Sequence, residues 1–377
     1  MTAPAIFHIG SFALTVSGLL NALGLTALIA LSLSVRGYTK GVPARRMTSF
    51  FVLALPVALV FARAAYCLFG TESFSGRFFA VFALHAGGYQ LAAAVAGIAV
   101  SALVYARLYN LNARKLLDIL VPGILSLIVL ARLGDISPAQ STGQIAAKGF
   151  LSGFPFTGRD LYGNARFKVS RLEAFAAAAV LAVYASRFRK NLKVKREDAP
   201  GEAFAFAMAS VCALLIPLEA LRDGAYARVF SVPFDLFACA AGLAALLCVS
   251  AVRLWKTDVS RQYVLLRAVP GVALTALSAG LSPRAYRADP ALNSFWIFLC
   301  AAAACALLYS IRSATLRRLR QKRRADRPKT DPGKAEALPN PPATGDSAKE
   351  SASEAERAAR SGRTSFRHSA ESETADA

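Results

Sequence analysis

The stretch DILVPGILSLIVLARLGD, residues 118–135, places one arginine at the end of a long apolar run. A helix needs about 20 predominantly apolar residues to cross the hydrocarbon core of a membrane. Residues 115–133 meet that length and predict a membrane-spanning helix. A guanidinium inside such a span is costly and marks a functional site by default. Arg132 is therefore the first candidate site residue.

The whole chain has the composition of a polytopic membrane protein. Of its 377 residues, 55% are hydrophobic and 18% are charged, and its mean hydropathy is +0.43. These values exclude a water-soluble enzyme and a secreted disulfide scaffold. We predict an all-α, polytopic integral membrane helix bundle with about nine transmembrane helices and a disordered C-terminal tail. The predicted spans are residues 9–34, 49–69, 79–106, 115–133, 171–186, 203–221, 232–252, 263–282 and 292–311.

Lys and Arg are unevenly divided between the connections of these spans. The connections after spans one, three, five and seven hold 16 of them, and the connections on the other side hold nine. Because the cytoplasmic side carries the excess of Lys and Arg, the N-terminus is expected outside and the C-terminal tail in the cytoplasm. The net charge of +21 follows the same distribution. We therefore expect contact with an anionic leaflet and no nucleic-acid partner.

Six cysteines and three histidines form no metal or redox motif. The cysteines lie in apolar stretches without Cys-x-x-Cys spacing, and the histidines lie far apart in the sequence. We expect the cysteines to be small buried hydrophobic residues, and we expect neither a metal nor a cofactor.

Other charged residues also fall within or at the ends of the predicted spans. A purely structural interpretation stays open for each, because Arg and Glu near a helix end can reach the interface or pair across helices. Glu219 and Arg222 are spaced to pair with each other, and Asp235 is placed to be an N-terminal helix charge. The full set of further candidates is Arg63, Glu173, Glu219, Arg222, Asp235 and Arg267.

Short motifs around these charges resemble, in order and spacing, those of the prolipoprotein diacylglyceryl transferases. In that family an Asp-x-x-x-Pro helix runs into Arg-Leu-Gly-Asn, and a Gly follows. Here Asp118 begins the same pattern, Asp135 stands at the Asn position, and the Gly is Gly143. The further matching pieces are Ile6 to Leu14, Arg63 with Tyr66, Gly87-Gly88, Ser170 to Glu173, and Glu219 with Arg222. The resemblance covers roughly residues 5–255.

The resemblance implies a function and a division of the chain. The family moves a diacylglyceryl group from phosphatidylglycerol to the thiol of a lipobox cysteine in a prolipoprotein, and releases glycerol phosphate. It implies a multi-pass protein of the bacterial plasma (inner) membrane. Residues 1–255 would form a seven-helix membrane domain, 256–311 two additional transmembrane helices, and 312–377 a basic, then low-complexity, disordered cytoplasmic tail. The implied partners are phosphatidylglycerol or another anionic phospholipid, a prolipoprotein lipobox peptide and the membrane.

The resemblance also implies roles for individual residues. Arg132 and Glu219 are the catalytic candidates, with His85 as a third. His85 lies about two helical turns before Ala92, where the family has a His or Tyr. A helix-packing role for His85 stays open. The candidates for substrate binding are Arg63, Arg132, Asp135, Gly143 and Arg222.

Several family positions are substituted, and the substitutions leave three interpretations open. The family's Tyr, Asn, Glu and Arg are replaced by Ser17, Asp135, Gln140 and Leu215. Asp135 in particular exchanges a neutral donor for an acceptor-only anion where a phosphate would bind. The chain is then a divergent transferase, a catalytically degenerate relative that binds phospholipid or lipoprotein precursor without turnover, or a transporter.

The charge count generates a topology prediction. A cysteine introduced at Gly158 should react with a membrane-impermeant thiol reagent in intact cells, because the connection after span four is expected outside. A cysteine introduced at Lys193 should react only after the membrane is opened. Labelling of position 193 but not of position 158 in intact cells would invert the topology.

Overall fold

The structure is a computed structural model that describes most of the apolar part of the chain. The described residues are 5–9, 12–38, 42–70, 88–135, 142–145, 156–159, 163–193, 199–222, 228–229, 232–256, 261–285 and 290–325. The chain divides into two units, Met1–Lys322 and Arg323–Ala377. Of the second unit, only the end of the last helix is described.

Within the described residues, nine helices are long and apolar enough to cross a membrane, which confirms the predicted all-α membrane bundle. The protein is a multi-pass membrane protein. The helices are α1 (Val16–Tyr38), α2 (Ala44–Phe69), α3 (Leu91–Leu108), α4 (Ala113–Gly134), α5 (Val169–Lys193), α6 (Glu202–Ala220), α7 (Phe234–Trp255), α8 (Arg261–Ala285) and α9 (Pro290–Ala325).

The first helix begins later than the predicted span at residue 9. Ala5–Ile9 (β1) and Phe12–Thr15 (β2) form an antiparallel hairpin instead. The hydroxyl of Thr15 accepts a hydrogen bond from the backbone N–H of Gly18 at 3.1 Å. This bond satisfies one of the N–H groups that a helix start leaves without a partner, so Thr15 caps α1.

The third helix also begins later than the predicted span at residue 79. Of that stretch, residues 79–87 lie outside the described residues, and residues 88–90 are not helical. Gly88 has a φ of +76°, and a Cβ at this position would overlap the ring of Tyr66. Only glycine adopts this conformation readily, so the helix starts after Gly88.

Two helices extend furthest beyond their predicted ends. Helix α5 runs to Lys193 although the predicted span ended at residue 186. Helix α9 continues through the first part of the basic segment to Ala325, so residues 312–325 are helical and not the start of a disordered tail. Arg and Lys are good helix formers, and their long side chains let a helix leave the apolar core without a break.

Short strands lie in two of the connections. Thr142–Ile145 (β3), Thr157–Arg159 (β4) and Ala165–Lys168 (β5) form an antiparallel sheet of order β3-β5-β4 between α4 and α5. Arg228–Val229 (β6) pairs with Val232–Pro233 (β7) between α6 and α7.

Helix α4 lies at the centre of the bundle. It contacts α1, α3, α5 and α6, and most of its residues are buried. Asn112 caps its first turn by accepting hydrogen bonds from the backbone N–H groups of Arg114 and Lys115. The helix that contains residues 118–134 is therefore the one around which α1, α3, α5 and α6 pack.

Asp118 joins the beginning of α4 to the beginning of α6. Its two carboxylate oxygens accept hydrogen bonds from the backbone N–H groups of Gly201, at 2.6 Å, and Phe204, at 2.8 Å. A carboxylate at a helix N-terminus satisfies free N–H groups and favours the helix dipole. Asp118 is thus a structural anchor at the end of α4 opposite Arg132, about 21 Å away along the helix axis.

Candidate functional site

Four helix ends meet in one buried cluster of charges. Arg132 lies in the last turn of α4, and Asp135 follows that helix. Glu219 lies in the last turn of α6, and Arg222 follows it. Asp235 lies in the first turn of α7, and Glu173 lies in the second turn of α5. We call these six residues the charge cluster.

Arg132 contacts three carboxylates of the cluster. Its Nε lies 2.9 Å from Oε2 of Glu173. Its Nη2 lies 3.0 Å from Oε1 of Glu219 and 2.8 Å from Oδ2 of Asp235. These three short distances involve Nε and Nη2 of Arg132. The guanidinium of Arg132 therefore ties α4 to α5, α6 and α7 at once.

Arg222 contacts two of the same carboxylates, those of Glu173 and Glu219, and also Asp135. Its Nη2 lies 2.7 Å from Oε2 of Glu173, and its Nε lies 3.1 Å from Oε2 of Glu219. Its Nη1 lies 3.8 Å from Oδ2 of Asp135. Glu173 and Glu219 are thus shared between the two guanidiniums, and removing either acid disturbs both.

Helix dipoles explain where three of these charges lie. A helix N-terminus carries a partial positive charge and a C-terminus a partial negative charge, and the effect is confined to the first or last turn. Asp235 begins its helix, whereas Arg132 and Arg222 end theirs, so these three charges are favourably placed. Glu173 lies in the second turn of α5 and Glu219 at the end of α6, and the two guanidiniums compensate both acids.

The cluster holds more negative than positive groups. Its four carboxylates face two guanidiniums, a formal charge of −2 when all are ionised. Burial raises the pKa of the Asp135 carboxyl above its ordinary value, and the charges of Arg222 and Arg132 oppose that rise. Protonation of Asp135 would bring the cluster closer to neutrality and create an O–H donor.

A cavity of about 950 Å³ opens beside the cluster. At its polar end it is lined by Arg132, Asp135, Glu219, Arg222 and Asp235. Elsewhere its walls are mainly apolar and come from α1 to α4, with Leu25, Leu55, Leu59, Ile98 and Leu127 among them. A cavity with one charged end and apolar walls suits an amphipathic ligand.

Gly143 lies against this polar end. Its backbone forms an antiparallel bridge with Arg222. A Cβ at Gly143 would lie 2.6 Å from Cγ2 of Val169 and 2.8 Å from the carbonyl oxygen of Leu221. The connection that contains β3 reaches Arg222 because this position has no side chain.

The sequence of the domain that holds the cluster matches one family model. The model of the prolipoprotein diacylglyceryl transferases matches residues 4–255. The chain belongs to this family. The match includes all six residues of the charge cluster and ends at the last residue of α7.

Curated relatives carry the same family name. A phosphatidylglycerol–prolipoprotein diacylglyceryl transferase of Shouchella clausii is 32% identical over 114 residues, 30% of this chain and 41% of the relative. One of Bacillus licheniformis is 28% identical over 149 residues, 39% of this chain and 54% of the relative. Transferase 1 of Clostridium perfringens is 28% identical over 166 residues, 44% and 62% of the two chains. The chain thus matches about half of these relatives' lengths.

The structure brings four candidate residues from the sequence together in the charge cluster and places another, Arg63, outside it. Arg132, Glu219, Arg222 and Asp135 meet in the cluster, and Gly143 adjoins it. Arg63 is buried elsewhere: its Nη1 donates to the carbonyl of Gly88 at 3.1 Å, behind the cavity wall that Gly88 and Tyr66 line.

The structure describes only some of the remaining family positions. His85 and Gln140 lie outside the described residues. Ser17, at the position of a family tyrosine, lines the cavity, whereas Leu215 is buried in the apolar core.

Two members of the cluster were candidates from the sequence but received no catalytic or substrate-binding role. Glu173 and Asp235 were named because they lie beside apolar spans, where charge is costly. For Asp235 a favourable helix dipole is a sufficient local explanation. The ion pairs of Glu173 and Asp235 reach across 41 and 103 residues of sequence to Arg132, so only the packed structure shows these partners.

The shared position of Glu173 predicts a large effect on stability. Glu173→Gln should lower the free energy of unfolding by about 3–5 kcal/mol, because it removes a buried carboxylate that contacts both guanidiniums. Thermal or SDS unfolding in detergent micelles measures the change.

A second ion pair of the same chemistry is the matched control. Arg187 and Glu202 lie 3.0 Å apart, a distance similar to those in the charge cluster. Their side chains are 30% and 14% exposed, whereas that of Glu173 is buried. Glu202→Gln should cost about 1 kcal/mol or less. Equal losses in the two variants would show that the charge cluster does not hold the helix ends together.

Proposed function

We propose that this chain transfers a diacylglyceryl group from phosphatidylglycerol to the cysteine thiol of a prolipoprotein lipobox. The observation that carries the proposal is the position of two arginines, Arg132 and Arg222, at the charged end of a cavity whose other walls are mainly apolar. The family membership and the names of the relatives support the same reaction.

The donor lipid matches the cavity in chemical character. Its acyl chains are placed along the apolar walls formed by α1 to α4, and its headgroup at the polar end. Arginine is suited to this end, because its planar guanidinium donates several hydrogen bonds to phosphate and is always charged. Arg132 Nη1, which is not one of the nitrogens that pair with the carboxylates at 2.8 to 3.0 Å, is assigned to the donor phosphate.

The transfer itself is a displacement at carbon. The sulfur of the lipobox thiolate forms a bond to the glycerol carbon of the diacylglyceryl group. The bond from that carbon to the phosphate oxygen breaks, and glycerol phosphate leaves with the electron pair. Arg132 and Arg222 stabilise the negative charge that develops on this phosphate, as preorganised donors do in other group transfers.

The thiol must lose its proton before or during this displacement, because the thiolate is the nucleophile. His85 remains the sequence candidate for the group that accepts the proton. Glu219 is assigned a positioning role, since each of its carboxylate oxygens already contacts one guanidinium. It holds Arg132 and Arg222 in a fixed relative orientation.

The orientation of the chain follows from the same proposal. With the N-terminus outside, α4 runs outward and the charge cluster lies at the outer end of the bundle. A lipobox cysteine delivered to the outer face of the bacterial inner membrane would then meet the polar end of the cavity. The C-terminal tail would lie in the cytoplasm.

A transfer assay tests the proposal. Purified protein in micelles with phosphatidylglycerol and a lipobox peptide should form a thioether-linked diacylglyceryl peptide, detected by mass spectrometry. Arg132→Gln should reduce the rate by roughly a hundredfold or more, the effect of losing one preorganised donor to a transition-state anion. Glu202→Gln, whose ion pair lies outside the cluster, should keep the rate.

Folding must be measured beside the rate. Arg132→Lys keeps one positive charge, so a folded Arg132→Lys protein with little transfer would separate the loss of directed hydrogen bonds from the loss of structure. Binding of phosphatidylglycerol without any thioether product in the wild-type protein would overturn the transfer and leave a lipid-binding relative.

A further inference from the structure

A second cavity lies between α6 and α9, away from the charge cluster. It has a volume of about 520 Å³. Its walls include Phe206, Ala209 and Ala213 on α6, and Phe298, Ala302 and Tyr309 on α9. None of the residues that line the first cavity lines this one. We call it the α6–α9 groove.

The groove opens toward lipid. Phe298 and Tyr309 are 45% and 62% exposed although both lie in a membrane-spanning helix. The part of α6 that lines the groove, residues 202–214, is about 18 Å long. One leaflet of the hydrocarbon core is about 15 Å thick, so the groove has the length and polarity of an acyl-chain site.

One end of the groove carries positive charge. Arg187 and Arg312 line it, together with Glu202 as the acidic residue of the described lining. Arg187 pairs with Glu202, and Arg312 donates to the carbonyl of Gly201 at 2.9 Å. Glu202 balances one of these two guanidiniums, so the groove keeps a net positive charge.

Exposed basic residues flank this end. Arg189 and Lys190 lie within one turn of Arg187 on α5, and Arg317 and Arg318 lie within two turns of Arg312 on α9. Basic pockets between transmembrane helices at the cytoplasmic face are typical sites for anionic lipid headgroups.

We propose that the α6–α9 groove binds one anionic diacyl phospholipid, with its phosphate at Arg312 and Arg187 and an acyl chain along α6 and α9. The apolar length, the opening to lipid and the net positive end together favour this occupant over a peptide or a second copy of the chain. The site does not depend on the transfer reaction, because it shares no residue with the first cavity.

The bound lipid joins two parts of the chain. Helix α9 lies beyond residues 4–255, which the family model matches, whereas α6 lies within them. A lipid in the groove contacts both helices. Helix α9 thus supplies one wall and one arginine of a lipid site that the family-matched domain completes.

Photo-crosslinking tests the site. The purified protein is mixed with phosphatidic acid or phosphatidylcholine that carries a diazirine in one acyl chain, and labelled peptides are mapped by mass spectrometry. Phosphatidic acid should label peptides of α6 and α9 more strongly than phosphatidylcholine does. Arg312→Gln should reduce that preference roughly fivefold, the effect of losing one basic residue at an anionic headgroup.

Two variants that fill the groove and one control variant test whether the lipid label arises in the groove. Ala306→Trp places a large side chain in the groove from an exposed position, so labelling of α6 and α9 should disappear while folding is kept. Ala302→Trp is a second filling variant. The matched control is Arg267→Gln, since Arg267 on α8 donates to Ser310 on α9 outside the groove lining; labelling should not change.

Three outcomes would overturn the proposal. Equal labelling by phosphatidic acid and phosphatidylcholine would show a nonspecific lipid surface. Labelling that persists in the folded Ala306→Trp protein would place the lipid elsewhere. Concentration-dependent crosslinks between two chains at α9 would assign the groove to a second copy. Loss of transfer activity with labelling intact would contradict only the proposed function.

Discussion

Buried charge is the constraint on which the arrangement of this bundle depends. Arg132 and Arg222 lie among apolar helices, where an unpaired guanidinium is costly. Four carboxylates surround them, and each carboxylate comes from a different helix or helix end. Because each buried charge is stabilised by the opposite charges beside it, the cluster fixes the ends of α4, α5, α6 and α7 relative to one another.

The opposite end of the bundle has its own anchor. Asp118 caps α6 from the beginning of α4, and Arg132 reaches Glu219 at the other end of both helices. The two helices therefore run parallel and are held to each other at both ends. A rigid frame of this kind is what a group-transfer site requires, because small displacements of positioned donors reduce their effect strongly.

Much of the fold could be predicted because the membrane restricts the choices. A span must be a helix of about 20 apolar residues, so hydropathy alone locates all nine helices that the described residues contain. Their ends were less predictable. Residues 9–15 are apolar enough to continue a span, and the cap at Thr15 that ends the hairpin depends on a local hydrogen bond.

The candidate site could be predicted only in part, because its ion pairs join residues that lie far apart in the sequence. Arg132, Glu219 and Arg222 were recognised by their family motif, but the ion pairs of Glu173 and Asp235 join distant positions of the sequence. Arg63 also lies near the end of an apolar span, yet it donates to the backbone carbonyl of Gly88 and lies over the ring of Tyr66. Residue type and depth in a span indicate that a charge needs a partner, whereas only the packed structure identifies it.

The central claim is that the charge cluster binds the phosphate of the donor lipid in spite of its excess of carboxylates. The affinity of the purified protein for phosphatidylglycerol, measured by calorimetry in micelles, tests this claim most directly. Asp135→Asn removes one negative charge and should tighten binding roughly fivefold, whereas Arg132→Gln should weaken it about tenfold or more. An Asp135→Asn protein that binds phosphatidylglycerol no more tightly than the wild type, with an Arg132→Gln protein that binds it equally well, would contradict the account.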